Sequence, residues 1–252
     1  MIPNPLRQRL EDSLTRRFGP GTRITDIRSA SGGCISRAAI LRLSNGGSAF
    51  VKWLENAPEQ FFEAEAEGLK ALRAASPLRI PEVYEVSSPS ESPQFLLMEN
   101  LTGSDQRTAR QASTSFDELL GQGLARQHRA TADRHGFDRD NYIGTTLQKN
   151  AWNADWPSFF RANRLEPLLT LLESHRGLGS ADRCLFDRLM ERLDDLIATD
   201  EPPSLLHGDL WAGNILRAAD GSPALIDPAV YYGHREADIA FTRLFGCLSP
   251  RA

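Results

Sequence analysis

The amino-acid sequence predicts an α+β fold in two lobes, an antiparallel sheet with its helices over residues 1–103 and a mostly helical lobe over residues 104–252. Three observations predict it. Short apolar runs separated by turn residues fill the first hundred positions, whereas beyond them apolar residues recur every three or four positions, as on amphipathic helices. At 252 residues the chain can bury a sizeable core, as one large domain or as two lobes. Late in the chain, Ser204–Leu216 and Ala224–Pro228 return to short apolar runs, interrupted by His207, Asp209, Asn214 and Asp227.

Leu6, Leu10 and Leu14 put one apolar stripe on a helix from Pro5 to Phe18, stopped by Gly19-Pro20. Ile24–Ile27, Ala38–Leu43 and Ser48–Leu54 read as strands, the last two joined by Asn45-Gly-Gly47, a strong hairpin turn. Gly32-Gly33 connects the first two; it fits a turn whose N–H groups reach phosphate oxygens, although two glycines between strands are more often only a turn. Lys52 lies inside the apolar run Phe50–Trp53, where an unpaired ammonium is costly and requires a partner. Pro58–Ala75 is a helix with Glu63, Glu65 and Glu67 near its middle, and spacing alone does not choose among the three. Glu82–Val86 and Phe95–Met98 are strands flanking a polar loop, and Glu99–Gly103 is the hinge between lobes. Ser113–Ala132, Trp156–Leu172 and Cys184–Ile197 are helices, and Pro202-Pro203 ends the helical run.

Composition narrows the function. Hydrophobic residues make up 40% and charged residues 25%, and a net charge of −4 gives no electrostatic reason for a nucleic acid or an anionic membrane as partner. No transmembrane or signal-peptide pattern is present, so the expected location is cytoplasmic. Cys34, Cys184 and Cys247 are too scattered for a disulfide framework or a zinc site. Cys34, beside Gly33, is a candidate redox-sensitive thiol or inert filler.

Phosphoryl transfer needs positioned charge and one carboxylate to accept the attacking hydroxyl's proton. Asp209 and Asn214 have the spacing of the base and the Mg²⁺-binding Asn in the protein-kinase catalytic loop. Asp227 closes the apolar run Ala224–Ile226 and can supply the second metal ligand, while Arg217–Pro223 turns the chain back towards Asn214. His207 reads as an orienting residue within that loop. Neither Gly-x-Gly-x-x-Gly nor Gly-x-x-x-x-Gly-Lys-[Ser/Thr] occurs, which argues against dinucleotide and Walker-type folds.

Leu205–Asn214 and Ile226–Asp238 closely resemble the fructosamine/ketosamine kinase family, in the aminoglycoside-phosphotransferase-like branch of the protein-kinase-like fold. Gly32–Ser36, Phe50–Lys52, Phe62–Glu65, Arg79–Val83, Asp140–Gln148 and Trp156–Leu165 resemble its segments in order. The resemblance implies ATP and Mg²⁺ as cofactors and phosphorylation of the 3-hydroxyl of ketosamines, free or protein-bound, leading to deglycation. It implies Asp209 as base, Asn214 and Asp227 as metal ligands, Lys52 positioned by Glu65 on the phosphates, and Gly32 and Gly33 covering them. Backbone at Glu99 and Leu101 would dock the adenine, and Trp211 and His234 would wall the acceptor, loop packing remaining open for both. Family members usually continue beyond this chain's last helix, so a weakly active protein or a nucleotide-binding module is a competing expectation. A related acceptor, such as an aminoglycoside, choline or homoserine, is another. Oligomeric state is not legible.

Overall fold

Leu6, Leu10 and Leu14 sit one turn apart and are fully buried, which holds helix α1 (Asn4–Phe18) along its whole length against a sheet. In this computed structural model, residues 2–30, 35–102 and 114–245 are described. The sheet is five-stranded and antiparallel throughout, in the order β1 (Ile24–Ser29), β2 (Arg37–Leu43), β3 (Ser48–Leu54), β5 (Gln94–Glu99), β4 (Val83–Val86). The β2–β3 turn closes through Leu43 N–H to Gly47 O at 2.9 Å, with Gly46 at φ 84°.

Side chains alternate across each strand, so Val51, Trp53, Phe95 and Leu97 meet the α1 leucines. Leu96 and Met98 face the other way, with helix α2 (Phe61–Ala75). The same alternation puts Lys52 on the α2 side, opposite Leu96 in register. Phe62, Ala66, Leu69 and Leu72 of α2 then share a core with Leu120, Leu124, Leu205, Leu210, Leu225 and Val230 from the helical lobe. Each such leucine contributes about 1.5–3 kcal/mol on burial. One apolar core thus spans both lobes.

The second lobe runs through α3 (Thr114–Gln127), β6 (Asn141–Ile143), β7 (Thr146–Gln148), α4 (Trp156–Phe160), α5 (Glu166–Arg176), α6 (Ser180–Glu191) and α7 (Leu193–Ile197). It ends with β8 (Ser204–Leu206), β9 (Ile215–Arg217), β10 (Pro223–Leu225), β11 (Tyr231–Gly233) and α8 (Glu236–Leu244). β6–β7, β8–β11 and β9–β10 are antiparallel pairs. Two seams fasten the lobes. At one, Arg79 N–H donates to Pro223 O at 3.3 Å, Leu225 N–H to Arg79 O at 2.9 Å and Ala219 N–H to Leu101 O at 2.8 Å. At the other, Arg139 pairs with Glu67 at 2.7 Å and Tyr142 Oη donates to Glu59 O at 2.9 Å.

The structure corrects several predicted bounds. α2 begins at Phe61 rather than Pro58, because Gln60 takes a left-handed φ of 54° that no helix continues through. The helix expected to Ala132 stops at Gln127, since Ala132 N–H leaves to Pro203 O. The helix expected over Trp156–Leu172 is interrupted by a π-helical turn at Arg161–Leu165, and that over Cys184–Ile197 breaks at Arg192, with ψ 5°. Residues 141–148, quoted only as a family segment, form a hairpin. Gly32, Gly33 and Cys34 lie outside the described residues, as does the boundary at 103/104.

Candidate active site

β8 delivers the chain into the loop His207–Asn214, and the loop's shape is held from behind by one carboxylate. Asp238, on the first turn of α8 and 1% exposed, accepts His207 N–H and Gly208 N–H at 2.9 Å each, one per oxygen. His128 Nε2, at the end of α3, lies 3.0 Å from Asp238 Oδ2. Burial pushes the Asp238 carboxyl up, but the hydrogen bond and charge of His128, with smaller help from His207 and the Gly208 N–H, overcome it and leave it below its ordinary value. Its contribution to stability is therefore present above the unfolded pKa and lost as pH falls through the folded one. Asp238→Asn, which puts an amide N–H₂ where a buried donor must be accepted, is expected to cost about 2–3 kcal/mol in urea denaturation; an unchanged midpoint would exclude the anchoring role.

His207 is fully buried. Its Nδ1 accepts the Asp209 N–H at 3.3 Å, so Nε2 carries the hydrogen and donates to Ile226 O at 2.9 Å. Burial pushes its pKa down and keeps the ring neutral, which suits a brace between the two loops.

Asp209 opens from this brace into a cavity. Asn214 Nδ2 donates to Asp209 Oδ2 at 2.9 Å and to Asp209 O at 2.8 Å, closing the loop on itself. Burial pushes the Asp209 carboxyl up, only partly offset by His207 and the Asn214 hydrogen bond. The acid limb of any activity that needs Asp209 ionised is expected to have its midpoint above the ordinary Asp value of about 3.9. A pH–rate profile flat down to that value would remove Asp209 as the base.

Opposite Asp209, Lys52 Nζ lies 2.8 Å from Glu65 Oε1 and 2.5 Å from Asp227 Oδ1. Burial alone would lower the ammonium's pKa; the charges of Asp227 and Glu65 reverse this and raise it. Burial raises Glu65 in turn, against the pull of Lys52. Glu67 pairs instead with Arg139, and both Glu63 oxygens are buried without a hydrogen-bond partner among the described residues. Asp227 has φ 55°, unusual for a non-glycine, and its carbonyl is 3.5 Å from Asn214 Nδ2, while Ile226 N–H donates to Asn214 O at 3.0 Å. Asn214 and Asp227 are thereby brought side by side.

These groups line one cavity of about 530 Å³, with Lys52, Glu65, Asp209, Asn214 and Asp227 around its polar part. Trp211, 40% exposed, also lines it; its ring lies over Gly213, where a Cβ would meet it at 2.4 Å. His234 does not line it: its ring packs near Trp156 at 6.2 Å, and its Nδ1 accepts the Glu236 N–H at 3.3 Å at the start of α8. Glu99 and Leu101 do not line it either; the Glu99 carboxylate pairs with Arg79 at 2.9 Å, and Leu101 is buried against Ala218 and Ala224. Sequence reasoning missed Phe61, Tyr142, Gly144, Phe241 and Phe245 as lining residues. The segment Asp140–Gln148 carried the only signal, its likeness to the family.

The sequence model of the fructosamine kinase family matches residues 6–251. The chloroplastic protein-ribulosamine 3-kinase of Oryza sativa subsp. indica is 38% identical over 230 residues, which are 89% of this chain and 64% of that one. The chain therefore spans a little under two thirds of that relative. A crystal structure of a Thermobifida fusca YX-ER1 protein, provisionally named a fructosamine-3-kinase, superposes with a TM-score of 0.80 at 30% identity, over 94% of this chain and 78% of that one. The aminoglycoside phosphotransferase APH(4)-Ia shares the fold, with a TM-score of 0.62 at 17% identity over 92% of this chain and 75% of that one. No helix among the described residues is long and apolar enough to cross a membrane. With its kinase-like fold and the match along nearly its whole length, the chain belongs to the fructosamine kinase family.

Proposed function

We propose that the protein is an ATP-dependent kinase acting on the 3-hydroxyl of ketosamines, free or protein-bound, in the cytoplasm. The observation that carries this reading is the convergence of Asp209, Asn214, Asp227 and the Lys52–Glu65 pair on one cavity, in a chain of this family. In this reading residues 1–103 would form the nucleotide lobe and residues 104–252 the acceptor lobe.

Asp209 would accept the proton of the sugar hydroxyl as its oxygen attacks the γ-phosphorus; its raised pKa brings it nearer to the working pH of a base. Lys52, held by Glu65, would exchange its contact with Asp227 for nucleotide phosphate oxygens. The donor set fits Mg²⁺: Asn214 spends Nδ2 on Asp209 and keeps its amide oxygen, and Asp227 supplies a carboxylate. Nucleotide phosphates and water would complete the shell of such an ion. Bound there, Mg²⁺ would neutralise phosphate charge. Trp211 offers an aromatic face to the apolar side of a sugar. A 3-phosphate beside the ketosamine carbonyl is a good leaving group: enolisation towards C1 and loss of inorganic phosphate from C3 would leave a C1 imine, which water would hydrolyse to the free amine and a 3-deoxy dicarbonyl sugar.

The test is ATP consumption by the purified protein with Mg²⁺ and fructoselysine, beside choline, homoserine and an aminoglycoside. Transfer to fructoselysine alone is the expected result. Transfer only to one of the others would move the chain to another acceptor.

A further inference from the structure

The β6–β7 hairpin walls the cavity, yet its two end residues take no part in the chemistry above. Asn141 and Gln148 face each other in register, and both are buried. Gln148 Nε2 donates to Asn141 Oδ1 at 2.7 Å and to Ala229 O at 3.1 Å, and Asn141 Nδ2 donates to Val230 O at 2.7 Å. Two of the three acceptors are backbone carbonyls, which fixes both amides with nitrogen towards the main chain.

Those carbonyls belong to the residues that follow Asp227-Pro228. Ala229 is also where the two functional loops cross: its N–H donates to His207 O at 2.9 Å, and its carbonyl lies 2.0 Å from where a Gly208 Cβ would stand. Asp227 itself holds a left-handed φ, which persists only where the neighbouring backbone is gripped. Asn141 and Gln148 supply that grip by direct hydrogen bonds to the two carbonyls.

We propose that Asn141 and Gln148 are positioning residues for phosphoryl transfer: two buried amides clamp the Ala229 and Val230 carbonyls and so set the Asp227 carboxylate, and the divalent cation it takes, relative to Asp209. The proposal rests on the metal-dependent part of the kinase reading, not on the identity of the acceptor.

The test titrates wild type, Gln148→Met and Asn141→Asp with AMP-PNP by calorimetry, in excess Mg²⁺ and in EDTA. Gln148→Met nearly keeps the volume and removes both donors; Asn141→Asp keeps the shape and turns a carboxylate on the Val230 carbonyl. Circular dichroism shows which variants fold, and Gln148→Glu replaces either that does not. Loss of such an outer contact typically weakens a metal site about 10–100-fold, so the affinity gained from Mg²⁺ is expected to shrink by about tenfold, with affinity in EDTA within about twofold of wild type. A magnesium gain equal to that of wild type in the folded variants would overturn the clamp. A wild type that binds AMP-PNP equally with and without Mg²⁺ would overturn it together with the metal role. Fructoselysine failing as acceptor while the magnesium gain is present, and lost in the variants, would leave the clamp standing and remove only the acceptor reading.

Discussion

Asp209→Asn is expected to lower the proposed ketosamine phosphorylation by about 10²–10⁴, the contribution of a positioned base. The substitution preserves size and leaves an oxygen to accept from Asn214 Nδ2, so the loop has no reason to move. Its effect on stability has the opposite sign. Burial raises the Asp209 pKa, so the folded state binds the proton more tightly than the unfolded one, and stability falls as pH rises through the folded value. A neutral amide removes that cost, and the melting temperature should hold or rise slightly. Steady-state kinetics with a parallel thermal melt checks both halves. Unchanged turnover would sink the assignment of the base; lost turnover with a collapsed melt would make Asp209 structural.

Gly208→Ala should be damaging twice over. Gly208 has φ 81°, a region that costs a residue with a Cβ about 1–2 kcal/mol. Its Cβ would also stand 2.0 Å from Ala229 O and 2.7 Å from Ala229 C, both backbone, with Tyr231 Cε1 at 3.3 Å. Such overpacking typically adds about 1–3 kcal/mol. Relief requires that the two loops part, which separates Asp209 from Asp227. A loss of about 2–5 kcal/mol in denaturant unfolding is expected, with turnover down at least about 10²-fold, since misplacement near 1 Å has that cost. A variant within about 1 kcal/mol of wild type at full activity would mean that the loops yield without consequence.

Near-periodic features were legible in the sequence. Leu6, Leu10 and Leu14 announced α1, and Asn45-Gly-Gly47 announced the β2–β3 hairpin, because spacing and turn chemistry are local. Helix ends were read less well: Gln60 and Arg192 end helices through dihedral angles that no residue type there dictates. The three-residue strands β6 and β7 escaped because so short a run has no period, and their pairing depends on buried amides reaching Ala229 and Val230.

From the sequence alone came the α+β class and the polar set Lys52, Asp209, Asn214 and Asp227, since residue type at fixed spacing carries that chemistry. Spacing did not choose among Glu63, Glu65 and Glu67; the family resemblance pointed to Glu65, and the structure has it beside Lys52, while only the tertiary structure decided that His234 packs near Trp156. It also put Asp238 beneath the loop His207–Asn214 and brought Tyr142 and Phe241 to the cavity wall. Each of these is a contact between segments far apart in the chain, settled by how helices and strands pack on one another, and spacing along the sequence carries no record of it.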